Sequence, residues 1–263
     1  MQIIDVIIGV LISGLIAFLA YLKKSLTISG FLTAVVLGTL IYSFGGVIVW
    51  AALIGFFISS SLLTKLHEKK DHVSSKGRNY IQVISNGLVA TIFSMIYFFT
   101  QVDIFLLAAV VSIATSNADT WASEIGVLSK GKTRSIVNFK LVPKGMSGAI
   151  SKLGTVASLI GSFFIAAIFV SIYVIQNGFD LEIVLSYGAI ITIFGFIGCF
   201  IDSYLGALLQ AKYKGVHSGE ITEKKWLPNE KVVLASGLAI ITNDAVNFLS
   251  GLFASVIAVL FFI

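Results

Sequence analysis

All 18 lysines and arginines of this chain fall in four alternate gaps between apolar runs of membrane-spanning length. The runs lie at residues 2–22, 28–44, 47–64, 81–100, 103–123, 153–176, 183–209 and 232–262, close to the roughly 20 helical residues that cross a hydrocarbon core. Lys23 and Lys24 follow the first run, and Lys65, Lys69, Lys70, Lys76 and Arg78 follow the third. Lys130, Lys132, Arg134, Lys140, Lys144 and Lys152 follow the fifth, and Lys212, Lys214, Lys224, Lys225 and Lys231 the seventh. The intervening loops, Gly45-Gly46, Gln101 to Asp103 and Asn177 to Glu182, carry no lysine or arginine. The positive-inside rule turns this alternation into a topology. It predicts an all-α bundle of about eight transmembrane helices, one integral domain over residues 1–263, in the cell membrane. Both termini face out and the basic loops face the cytoplasm.

Composition supports that reading. The chain is 57% hydrophobic and 12% charged, about half the charge of a soluble domain. The apolar runs leave no length for a separate soluble domain of ordinary size. The net charge of +5 makes a basic inner face suited to anionic lipid or phosphate, although topology alone also accounts for these charges. The first run has no basic residue before it and no small-residue cleavage site after it, which predicts a retained helix. Cys199 is the one cysteine, so no intrachain disulfide is possible.

Polar residues inside the runs are costly in lipid and mark sites. The seventh run carries Gly188, Gly195, Gly198, Asp202 and Gly206 on one helical face. Such a face lets a neighbouring backbone approach the carboxylate. The eighth repeats the design with Gly237, Asp244 and Gly251, beside Asn243, Asn247 and Ser250. Ser112, Ser116, Asp119 and Ser123 share a stripe in the fifth run, as do Asn79, Gln82 and Asn86 at the fourth. Asp119, Glu124, Asp202 and Asp244, with Asn86, Asn117, Asn243 and Asn247, are expected to converge on a chamber open to the basic side. Acids without internal lysine or arginine suit a hard divalent ion such as Mg2+ bridging phosphate oxygens; the alternative is that they hold helices together. Small-residue stripes at Gly30, Ala34 and Gly38, and at Gly154, Ser158 and Gly161, predict close helix packing.

The basic loops hold glycine-rich segments. Gly126 to Thr133 matches G-x-x-x-x-G-K-[ST], but a P-loop needs a preceding strand and a following helix in an α/β domain, and a membrane helix precedes it. Its amides with Lys132 and Arg134 would still suit phosphate. Lys144-Gly145-Met146-Ser147-Gly148, expected to open the sixth helix, and Ser74 to Asn79, opening the fourth, offer similar anion sites. His67, His72 and His217 show no metal spacing and read as solvated loop residues. Trp50, Trp121 and Trp226 read as interfacial anchors.

Together these residues carry a resemblance. Asn117-Ala118-Asp119-Thr120-Trp121-Ala122-Ser123-Glu124-Ile125-Gly126, Gly77-Arg78-Asn79 with Gln82 and Asn86-Gly87, Lys144 to Gly148, Asp202-Ser203 with Leu205-Gly206-Ala207, and Asn243 with Val246-Asn247 resemble the DUF92 family. That family includes transmembrane protein 19 and the phytyl-phosphate kinases of tocopherol synthesis. More remotely the pattern is similar to CTP-dependent phytol and dolichol kinases and to phosphatidate cytidylyltransferases. The segment Lys132 to Asn138 departs from the family's usual Pro-Arg and Thr pair, leaving Arg134 matched.

The resemblance implies a kinase that converts an isoprenyl monophosphate, such as phytyl or geranylgeranyl phosphate, to its diphosphate with a nucleoside triphosphate, CTP being one candidate. Asp119, Glu124, Asp202 and Asp244 would be catalytic and hold Mg2+. Lys76, Arg78, Asn79, Asn86, Lys132, Arg134, Lys144, Ser147, Gly148, Asn243 and Asn247 would bind phosphates. The expected partners are the nucleotide, the isoprenyl phosphate and membrane lipids, with no nucleic acid. A transporter or lipid flippase using the acids as a cation or proton relay is the competing class. Alcohol phosphorylation and cytidylyl transfer would use the same parts.

Overall fold

The computed structural model describes residues 3–71, 77–228 and 230–262. Among them, seven helices are long and apolar enough to cross a membrane. They are α1 (Ile3–Leu22), α2 (Ile28–Asp71), α3 (Tyr80–Thr100), α4 (Asp103–Gly126), α5 (Lys152–Asn177), α6 (Leu181–Leu208) and α7 (Asn243–Phe262).

Helix α2 makes two passes. Gly46 breaks it with φ 71° and ψ −177°, a left-handed region that a side chain disfavours. Beyond it Lys65 Nζ donates to the Lys23 carbonyl at 2.8 Å and Trp50 Nε1 to Ser13 Oγ at 2.9 Å. A straight helix would carry Lys65 about 55 Å from Ile28, so the two arms must fold back on each other. The expected second and third spans are these arms, which makes eight helical segments of spanning length among the described residues.

Helix α4 sits in the middle. It packs against α2, α3, α5, α6 and α7, and 72% of its best membrane window is buried, against 22–39% for the other helices. That shielding permits its polar sequence, since its window is also the least hydropathic of the seven. Lipid is as apolar as leucine, so helices here associate through close packing rather than the hydrophobic effect. The small-residue stripes supply that approach. A methyl added at Gly161 of α5 would lie 3.2 Å from Trp121, and one at Gly195 of α6 would lie 2.6 Å from Ala114. Large apolar side chains such as Leu11, Ile160, Phe163 and Leu185 are left on the outside, where lipid would meet them.

Two corrections concern the loops. The expected helix at 232–262 begins only at Asn243. Residues Val232–Ser236 instead form a strand, because Tyr213 and Lys214 offer it a ladder. With β1 (Arg134–Ser135), β2 (Ala149–Ile150), β3 (Lys212–Gly215), β4 (Ile221–Thr222) and β5 (Val232–Ser236), the chain carries an antiparallel hairpin β1-β2 and a sheet of order β4-β3-β5. Gly237, expected inside the eighth helix, is a turn residue at φ 77° packed on the Gln210 carbonyl. Trp50 and Trp121 also point into the bundle, where Trp121 stacks on Phe164 with centroids 5.5 Å apart; Trp226 is exposed.

Candidate functional site

At the basic end two cavities adjoin. The first, about 240 Å3, lies under the loops between α4 and α5 and is lined by Asp119, Lys144, Ser147, Gly148, Cys199 and Asp202. The second, about 300 Å3, is lined by Lys24, Lys65, Arg78, Asp119, Glu124 and Asp244. Asp119, Ser123 and Asn243 face both cavities.

The acids divide between these spaces. Asp202 is buried on the glycine face of α6, where Ser250 Oγ donates to it at 2.9 Å. With its amide nitrogen turned toward the acceptors, Asn247 donates to the same oxygen at 3.2 Å. Asp119 accepts no hydrogen bond from the described residues, and none of their lysines or arginines lies within salt-bridge range of either acid. Glu124 is engaged differently: Thr64 donates to it at 2.7 Å and His67 Nδ1 lies 3.0 Å away. His67 is therefore a partner in the site and not a solvated loop residue. Asp244 lines only the second cavity.

The expected convergence of four acids on one ion is thus corrected. Among the described residues no three of His, Cys, Asp and Glu come close enough to hold a metal. Asp119 and Asp202, which line the same cavity, still fit Mg2+, which needs only one or two protein carboxylates and takes its other oxygens from substrate and water. Of the three acids that line this cavity, Glu223 is taken by the Ser147 N–H, whereas Asp119 and Asp202 have no lysine or arginine of the described residues within salt-bridge range, a donor pair such an ion would satisfy.

The expected phosphate ligands are also sorted by the structure. Lys144, Ser147 and Gly148 line the first cavity; Lys144 Nζ donates to the Ser129 carbonyl, and the Ser147 N–H donates to Glu223 at 3.0 Å. Their segment leads into β2, and α5 starts later, capped by Ser151 accepting from the Gly154 N–H at 3.0 Å. Gly148 has φ 81° and lies against Ala207 and Ser203 of α6. Arg78 and Asn86 line the second cavity, as do Asn243 and Asn247. Burial lowers the Arg78 pKa to about 10, partly countered by the charge of Glu124.

Others are not brought in. Asn79 spends its side chain capping α3, in a reciprocal pair with Gln82. Lys132 and Arg134 are exposed and line neither cavity, Arg134 donating to the Phe139 carbonyl of its own turn. Asn117 is fully buried, donating to the Gly161 carbonyl at 2.7 Å and accepting from Ser59 at 2.9 Å, so it joins helices instead of facing the chamber. Lys76 and His72 lie outside the described residues. The G-x-x-x-x-G-K-T match has no strand before it, and its Thr133 is tied to the Val142 carbonyl at 2.7 Å. Thr64 and Glu223 were not expected, and Ser250 was seen beside Asp244 but given no role. Ser250 sits one turn beyond Asn247 on the polar stripe of α7, which was its only signal.

The family model described as integral membrane protein DUF92 matches residues 11–255. The chain belongs to the DUF92 family. This DUF92 chain is an integral membrane protein. It is 32% identical to Protein PGR of Arabidopsis thaliana over 95% of its own length and 93% of that protein. An uncharacterized membrane protein of Methanocaldococcus jannaschii is 30% identical over 80% of the chain and 85% of its own length. Protein VTE6, chloroplastic, of Arabidopsis thaliana is 31% identical over 56% of the chain and 47% of its own length. No solved structure matches this DUF92 protein.

Proposed function

We propose that the protein transfers the terminal phosphoryl group of a nucleoside triphosphate, with CTP among the candidates, to an isoprenyl monophosphate such as phytyl or geranylgeranyl phosphate. An acceptor oxygen forms the new P–O bond. The bond from the γ-phosphorus to its bridging oxygen breaks, leaving a nucleoside diphosphate and an isoprenyl diphosphate. The observation that carries the reading is the wall shared by Asp119, Ser123 and Asn243. Phosphates seated one in each cavity would meet at a single carboxylate.

The first cavity suits the nucleotide, because Lys144 and the Ser147-Gly148 turn lie at its edge, where a phosphate would take the Ser147 N–H from Glu223. The second suits the acceptor, because Arg78, Lys65 and Lys24 stand around it. Such catalysis rests on position and charge compensation. Mg2+, held by Asp119 and Asp202, would neutralise charge on the phosphate oxygens. A monophosphate acceptor is largely dianionic near neutral pH, its second pKa being about 6, so no side chain need remove a proton. The basic end would face the cytoplasm of a cell membrane, where the nucleotide is. The transport reading gains less support: the opposite end also has a polar cavity, at Asp5, Asp103 and Asn177, but buried Val110, Ile113, Ile165 and Ile191 lie in the core of the bundle.

The test is to incubate purified protein with Mg2+, γ-labelled nucleotides and geranylgeranyl or phytyl phosphate, and to identify the lipid product by mass. Labelled diphosphate is expected. A lipid carrying the whole nucleoside would indicate cytidylyl transfer instead. No product, with lipid phosphate crossing proteoliposomes, would overturn the kinase reading.

A further inference from the structure

A narrow slot runs into the bundle beside the second cavity, between α1, the two arms of α2, and α3. Its wall is apolar at depth, with Ala17, Ala34, Leu37, Leu53, Phe57 and Val83. Its mouth is polar, because Arg78, Gln82 and Asn86, beside Phe56, belong to both the slot and the second cavity. It runs from Arg78 at the mouth to Gly38 and Ser13 in the interior. At about 70 Å3 it is under a quarter of the 300 Å3 of the neighbouring cavity. Its apolar lining suits a slender hydrocarbon chain better than the polar groups of a nucleotide.

Arg78 is the feature that selects an occupant. Two backbone bonds pin it, its N–H donating to the Ser25 carbonyl at 2.9 Å and its carbonyl accepting from the Thr27 N–H at 3.0 Å. Its guanidinium lies over the rings of Phe56 and Phe57, 5.4 and 5.7 Å from their centroids. Among the described residues no side chain hydrogen-bonds or ion-pairs with the guanidinium itself, and Glu124, which lines the same cavity, is held by Thr64 and His67. A partly desolvated cation is costly without an anion, and guanidinium matches the paired oxygens of a phosphate. A ligand that satisfies both ends must carry an anionic head and a single apolar tail.

We infer that this slot is the chain-binding site of a single-tailed lipid phosphate, with Arg78 at its mouth gripping the headgroup. The inference rests on the proposed function for the identity of the headgroup and adds where the tail goes. The tail enters the bundle instead of lying on its outer surface. The slot's depth, set where Gly38 and Ser13 meet, would then decide which chains bind well.

Photolabelling of the wild-type protein in nanodiscs tests this without a substitution that threatens the fold. The probe is a farnesyl monophosphate carrying a diazirine at the chain end. Labels on Leu37, Leu53 or Val83, suppressed by excess geranylgeranyl phosphate, are expected. Arg78→Met should weaken labelling at least tenfold at an unchanged thermal midpoint. Labels confined to outward residues such as Leu11 or Ile160, or slot labels that excess lipid phosphate leaves undiminished, would overturn it. The γ-phosphoryl transfer assay on the same sample separates the two claims. Slot labelling without a diphosphate product sinks the kinase reading and keeps the lipid site, whereas product without slot labelling does the reverse.

Discussion

Ser250 shows how little of the site the carboxylates make alone. Its hydroxyl is 1% exposed and donates to Asp202 at 2.9 Å, so it fixes which way that acid points. Groups that orient a metal-binding carboxylate typically contribute a factor of 10–100 to affinity. Ser250→Ala should therefore raise the Mg2+ concentration needed for half-maximal turnover about 10–100-fold, with kcat at saturating Mg2+ much less affected; an unchanged Mg2+ requirement would remove the residue from that role. The acids and their stripes were legible in the sequence because an acid in an apolar run is costly and so informative. What each acid touches was not. Glu124, one and a half turns beyond Asp119, is claimed by Thr64 and His67 of another helix, and no spacing within one helix reveals a partner sixty residues away. Asn117 shows the same limit, since its place in the motif gave no sign that it faces Gly161 and Ser59.

At the scale of elements, glycines hold the bundle closed and a carboxylate orders the sheet. Gly195→Val puts a branched side chain where a methyl would already lie 2.6 Å from Ala114. Overpacking of that kind costs about 1–3 kcal/mol, so the thermal midpoint in detergent should fall by several degrees. Gly14→Val, with open space around it, should leave the midpoint unchanged; equal effects would contradict the packing argument. Glu230 accepts from the His217 and Ser218 N–H groups at 2.8 and 3.0 Å and from the Ser218 hydroxyl. These bonds, the Ser218 hydroxyl foremost, lower its pKa below the ordinary 4.5. The folded lobe thus binds its proton less readily than the unfolded one, and the stability it adds is present above the ordinary carboxylate range. That stability is lost as pH falls through the lowered folded value. Amide-exchange protection factors in β3 and β5 should drop on acidification, and Glu230→Gln should flatten the response; a wild type that keeps its protection would contradict this. The helices were readable because each is a long apolar run. The strands were not, since Val232 to Ser236 is apolar, short and directly followed by a real span, so hydropathy merged them. The pairing with β3 that makes it a strand is a long-range fact.

The molecule as a whole is a bundle whose lysines and arginines share one end with the two cavities that meet at Asp119. That follows from eight passes, and the doubled α2 is what makes the number even. Of single cysteines placed at Asn177 and at Lys132 in a Cys199→Ser background, only that at Asn177 should react with an impermeant maleimide on intact cells, that at Lys132 reacting once the cells are permeabilised. Reaction of both from the same side would overturn the topology. The two basic-end cavities meet at Asp119, and the account stands on that carboxylate and Asp202 forming a divalent-ion site between donor and acceptor. The direct measurement is a Mn2+ titration followed by electron paramagnetic resonance, on protein in nanodiscs with CTP present. One tightly bound Mn2+ per chain is the predicted result, lost in Asp119→Asn and in Asp202→Asn variants that melt like wild type. Equal Mn2+ binding in all three proteins would contradict it.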